Sequence, residues 1–114
     1  MDRRFRLTRS SDFKRVRRAG KSYAHPLAVL VACRNGLPKT RFAISAAHSL
    51  GSAVARNRAK RRLREAIRHW MPRVTGGWDA LLIARPEVNA ADWPAVLAAV
   101  ERLMLRAQLI REDD

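Results

Sequence analysis

Residues 53–70 read Ala-Val-Ala-Arg-Asn-Arg-Ala-Lys-Arg-Arg-Leu-Arg-Glu-Ala-Ile-Arg-His-Trp, and their spacing decides the kind of fold available to the chain. At about 100° per residue, Ala55, Ala59, Leu63, Ala66, Ile67 and Trp70 gather on one side of a helix. Asn57, Arg58, Arg61, Arg64, Glu65 and Arg68 gather on the opposite side, with Arg56, Lys60 and Arg62 at the boundary. The apolar side is small and alanine-rich, suited to close packing on a sheet. The polar side is nearly all of one sign: seven cations share the helix with Glu65 alone. A solvated helix face ordinarily mixes signs to form pairs at i and i+4. Like charges packed this densely repel, so a polyanion is needed to neutralise them. Asn57, between two arginines, both donates and accepts, which suits a base edge or a 2′-hydroxyl. Ahead of the helix, Ser49-Leu50-Gly51-Ser52 presents N–H groups at the positive end of the helix dipole, a natural seat for phosphate.

Working outward, Ser10-Ser11-Asp12 caps a short helix to about Ala19, ended by Gly20, with Phe13 and Val16 inward and Lys14, Arg15, Arg17 and Arg18 outward. Residues 22–34 predict one long strand. Tyr23, His25, Leu27, Val29, Val31 and Cys33 face one way along it, and Pro26 marks an edge or bulge. Asn35-Gly36-Leu37-Pro38 is a turn, and residues 41–46 a second strand pairing with the first as a hairpin. Pro72 stops the main helix, Thr75-Gly76-Gly77 connects, and residues 78–84 (Trp-Asp-Ala-Leu-Leu-Ile-Ala) form a third strand. Asp92-Trp93-Pro94 opens a last helix, with an apolar stripe of Val96, Leu97, Val100, Leu103, Met104 and Ala107. The expected fold is α/β, an α+β sandwich in the order αββαβα, as one domain over residues 1–114.

Composition narrows the function. Twenty-four Lys and Arg against ten Asp and Glu leave a charge of +14. Residues 1–78 hold twenty basic and three acidic side chains, and residues 79–114 hold four and seven. Solubility alone does not cluster charge this way. Arginine outnumbers lysine twenty to four, and a guanidinium is the better group for phosphate forks and base stacking. Cys33 is the single cysteine, which excludes an intrachain disulfide and a multi-cysteine metal site and suits a reducing cytoplasm. No apolar run follows Arg3, Arg4 and Arg6 as in a secretory signal, and residues 27–33 are too short to span a bilayer.

The run from Gly51 through Ala66, with Ala53-Val54, Arg56-Asn57-Arg58, Lys60-Arg61 and Arg64-Glu65, resembles the R-N-R signature of the bacterial ribonuclease P protein family. Asp12-Phe13, Gly20-Lys21-Ser22, Arg41-Phe42-Ala43-Ile44-Ser45, Trp78-Asp79 and Ile83-Ala84-Arg85-Pro86 resemble it too, as does the lead-in from Arg3 to Leu7. The resemblance implies a ribosomal-protein-like fold with a left-handed βαβ crossover holding the R-N-R helix, against the general preference for the right hand. It implies catalysis by an RNA subunit that carries the Mg²⁺ ions, with no catalytic residue, metal site or cofactor in this chain. Its implied partners are that RNA and precursor tRNA, with no membrane and no obligate protein partner. Arg56, Asn57, Arg58, Lys60, Arg61, Arg62, Arg64 and Arg68 would face the catalytic RNA. Phe13, Arg17 and Tyr23 would hold the 5′ leader of the precursor. Two departures stand out: Ala47-His48-Ser49 lacks the lysines common in the family's loop, and Arg17 and Val31 stand where aromatics are frequent.

Other functions compete. A protein-only ribonuclease needs an acid–base pair, and His25 with His48 across the hairpin is the candidate. A ribosomal or other structural RNA-binding protein shares the charge and the fold. A helix-turn-helix DNA reader lacks its preceding short helix here, and a membrane-surface role lacks the apolar area.

Overall fold

The computed structural model describes residues 5–112; Arg3 and Arg4 of the family-like lead-in lie outside the described residues. Helix α1 (Ser10–Ala19) is followed by β1 (Lys21–His25), β2 (Ala28–Arg34), β3 (Arg41–Ser45), α2 (Ala53–Trp70), β4 (Trp78–Ala84) and α3 (Trp93–Arg106). The strands form one sheet in the order β1-β2-β4-β3. β1–β2 and β2–β4 pair antiparallel, and β3–β4 pair parallel with α2 as the crossover. The architecture is α+β, with α1 on one face of the sheet and α2 and α3 on the other.

The expected long strand is two strands. Proline has no N–H for a ladder, and the chain reverses at Pro26-Leu27, where His25 pairs with Ala28. The Leu27 N–H donates to His25 Nδ1 at 3.1 Å and closes the turn. The reversal changes which residues share a face: Tyr23 lies opposite Leu30, not beside Val29 and Val31. The expected hairpin across Asn35-Gly36-Leu37-Pro38 is also replaced, because β4 sits between β2 and β3. β4 is apolar on both faces, and the centre of the sheet is where both faces are covered.

The larger core lies beneath α2 and α3, where Leu30, Phe42, Leu63, Ile67, Leu82 and Leu103 are fully buried. Both helices start behind a side-chain cap: Ser52, from the loop ahead of α2, accepts from the Ala55 N–H at 3.1 Å, and Asp92, the expected cap of α3, accepts from the Ala95 N–H at 2.9 Å. On the opposite face, Leu7, Val16, Val31, Ala43 and Leu81 form a smaller cluster under α1. Phe13, Val29 and Ile83 pack against it but stay partly exposed, so one end of this face is open.

Candidate nucleic-acid interface

The core side of α2 is as its spacing predicts: Ala59, Leu63, Ala66 and Ile67 are buried, and Ala55 and Trp70 partly so. Asn57, Arg58, Arg61, Glu65 and Arg68 are exposed. The Glu65 carboxylate reaches one cation, Arg68, at 3.9 Å. Arg58 and Arg61 therefore present their charge to solvent without a carboxylate partner among the described residues. Arg56 donates to the Gly51 carbonyl at 2.8 Å, which draws it toward the start of the helix, and Lys60 is half-buried.

Two arginines depart from the expected face. Arg62 donates to the carbonyls of Val88 (2.8 Å), Asn89 (3.2 Å) and Ala91 (2.7 Å), so its guanidinium is spent tying α2 to the turn ahead of α3. It lies one boundary position inward of the exposed stripe, where the nearest acceptors are backbone oxygens. Arg64 lies on the opposite flank, half-buried over β3. There it lines a cavity of about 150 Å³ together with Arg6, Phe13, Phe42 and Ile44. A residue expected at the leader and one expected at the catalytic RNA thus share one recess. Arg17 is exposed on α1, one turn beyond Phe13.

Tyr23 does not join them. It packs on the α2–α3 side of the sheet, with Lys21 Nζ and Arg106 Cζ each 5.6 Å from its ring centre. Phe13 packs on the other side, so the two rings cannot line one cleft. The pairing change at Pro26 is the cause.

Sequence reasoning missed the device that sets α1 on the sheet. Asp79 is fully buried on β4 and accepts from Arg41 at 2.9 and 2.7 Å, from Asn35 at 2.9 Å, and from Arg15. Arg15, expected on the outer side of α1, instead turns to the sheet and also donates to Cys33 Sγ at 3.1 Å. Burial by itself would raise the Asp79 carboxyl; the hydrogen bonds from Arg41, Asn35 and Arg15 together outweigh it and hold the pKa below its ordinary value. A lone carboxylate inside an apolar strand was the available signal, because buried charge is tolerated only when paired.

The candidate histidine pair is not formed. His25 ends β1 and His48 follows β3, and these strands are opposite edges of the sheet. Burial, then the charges of Arg102, Arg106 and Arg85, lower the His25 pKa. Among the described residues no three His, Cys, Asp or Glu side chains cluster closely enough to hold a metal ion, and no helix is long and apolar enough to cross a membrane.

Known proteins match this arrangement closely. The family model described as Ribonuclease P matches residues 1–108. The ribonuclease P protein component of Herpetosiphon aurantiacus is 41% identical over 109 residues, covering 96% of this chain and 89% of that one. That of Symbiobacterium thermophilum is 39% identical over 115 residues, covering 99% of each. A solved structure of the Staphylococcus aureus RNase P protein aligns with a TM-score of 0.83 at 27% identity, covering 94% of this chain and 98% of that one. The RNase P protein from Thermotoga maritima aligns at 0.80 and 28%, covering 89% and 96%. With a basic helix crossing between parallel strands, a clamped α1 and full-length relatives, the chain belongs to the ribonuclease P protein family.

Proposed function

We propose that the chain binds the RNA subunit of ribonuclease P through the exposed side of α2 and holds the 5′ leader of precursor tRNA on the open end of the sheet. The observation that carries this is the strongly cationic surface of α2, where Arg58 and Arg61 have no carboxylate partner among the described residues and Glu65 is the single anion. Arg56, Asn57, Lys60 and Arg68 extend that contact, Asn57 reading a base edge or a 2′-hydroxyl. Arg62 anchors the fold instead of the RNA. On the sheet side, Phe13 supplies a ring for stacking and Arg17 a guanidinium, beside the partly exposed Val29 and Ile83. Arg64 and Arg6, in the recess with Phe13, would guide the RNA strand from one surface to the other. Tyr23 is left out of the leader cleft by its position across the sheet.

In this reading the bond is broken by the RNA subunit, with Mg²⁺ held there, in a cytoplasmic particle. The protein lowers RNA–RNA repulsion and positions the leader. Arg58→Ala and Arg61→Ala are each expected to weaken binding to a ribonuclease P RNA transcript by about tenfold without lowering the melting temperature, since each removes an exposed cation. Unchanged affinity in both would overturn the assignment of this surface.

A further inference from the structure

Three large apolar side chains are exposed among the described residues, one of them on the basic side of α2 and one at the start of α3. Val54 is 78% exposed, one turn before Arg58 on the same stripe, and Trp93 is 39% exposed at the start of α3. The other two tryptophans are covered: Arg34 lies 4.0 Å from the ring centre of Trp78, and Arg73 lies 5.3 Å from that of Trp70. Among the described residues, no cation or second ring covers Trp93.

Its position is set by contacts at both ends of α2. The Asn89 amide donates to the Ala55 carbonyl at 2.9 Å, Arg62 holds the carbonyls of residues 88, 89 and 91, and Trp70 Nε1 donates to the Leu97 carbonyl at 3.0 Å. Residues 89–97 therefore run alongside α2 from its first turn to its last. Trp93 follows by two residues the Ala91 carbonyl that Arg62 holds, and Arg62 lies one turn from Arg58 on the same flank of α2. It also precedes by one turn of α3 Leu97, whose carbonyl meets Trp70 of α2.

We propose that Trp93 is a stacking platform for an unpaired base of the RNA subunit, so that the RNA-binding surface extends from α2 onto the start of α3. This rests on the proposed docking of RNA on α2. Cations hold phosphates at any base; an uncovered indole beside them adds a contact with a base face, which a duplex does not offer. Arg62 becomes a positioning residue, fixing the turn that delivers the ring.

The test uses the full chain and a fluorescein-labelled transcript of a bacterial ribonuclease P RNA, titrated at several salt concentrations. Trp93→Ala should weaken binding by about tenfold, and Trp93→Phe by less than about threefold, because stacking needs a ring and no hydrogen bond. The slope of log affinity against log salt should stay that of the unaltered chain in Trp93→Ala and become shallower by about 1 in Arg58→Ala. Tryptophan emission should be quenched by the RNA in the unaltered chain and much less in Trp93→Phe, a readout that does not depend on whether the alanine variant folds. If Arg58→Ala weakens binding while Trp93→Ala does not, or if the quench survives in Trp93→Phe, the platform is wrong and the α2 surface stands. If neither change affects binding, the α2 surface itself fails.

Discussion

Asp79 shows how one side chain positions a whole element. Its carboxylate joins Arg15 of α1, Arg41 of β3 and Asn35 of the turn after β2, all of them far from β4 in sequence. Replacing it with asparagine leaves the two guanidiniums with only the more distant Asp12 carboxylate, 3.5 Å from Arg15 and 3.7 Å from Arg41. Both reach solvent, which screens them, so the expected cost at neutral pH is roughly 2 kcal/mol, below the roughly 3–5 kcal/mol of a fully buried pair. The pH dependence follows from the depressed pKa. Its stabilisation is fully present above the unfolded carboxyl value near 3.8 and is lost as pH falls through the lower folded value. Denaturant unfolding at pH 7 and in strong acid should therefore show the gap between the parent chain and Asp79→Asn closing at the acid end. A gap independent of pH would mean that the charge on Asp79 contributes nothing.

At the scale of elements, two helices are fastened by arginines that sequence spacing puts off the core face, Arg15 on the outer side of α1 and Arg62 at the boundary of α2. Arg15 fastens α1, and Arg62 fastens α2 to the turn before α3. Arg62→Ala strips a charged donor from three carbonyls and should cost roughly 2 kcal/mol, read as a lower melting temperature and faster amide exchange in residues 86–92. Its RNA affinity should fall less than that of Arg58→Ala if the RNA reads only α2, and by more if Trp93 has to be held in place. The split of the long strand belongs to this scale as well. Pro26 was legible as a disturbance, but whether a proline bends a strand at an edge or ends it depends on what pairs next to it. Here the turn lets β1 fold back on β2, and it carries Tyr23 to the face away from Phe13.

For the molecule as a whole, the charge of +14 is a stability term as well as a binding term. Self-repulsion among the cations of α1 and α2 opposes the compact state until salt or a polyanion screens it. The melting temperature of the free chain should rise as salt is raised from low to physiological concentration. Over a similar range RNA affinity should fall, by about a thousandfold between 50 and 200 mM if about six phosphates are engaged. Melting temperature and affinity moving in the same direction with salt would contradict an interface built on charge.

Much of this protein is determined by local pattern. The amphipathic period of residues 53–70, the Ser52 and Asp92 caps, the apolar run of β4 and the stripe on α3 each depend on side chains a few residues apart, so the sequence suffices for them. It suffices also for the cationic excess of the α2 surface, which pointed to RNA and, through its flanks, to the family. The sheet order, the face on which Tyr23 lies, the inward turn of Arg15 and Arg62 and the meeting of Arg64 with Phe13 depend on long-range pairing. β4 enters between β2 and β3 with apolar residues on both faces, and the separation of β2 from β3 follows from that insertion. An arginine's reach is long enough to point either way, and the nearest unsatisfied acceptor, a carboxylate on β4 or a carbonyl of the turn before α3, decides between solvent and fold.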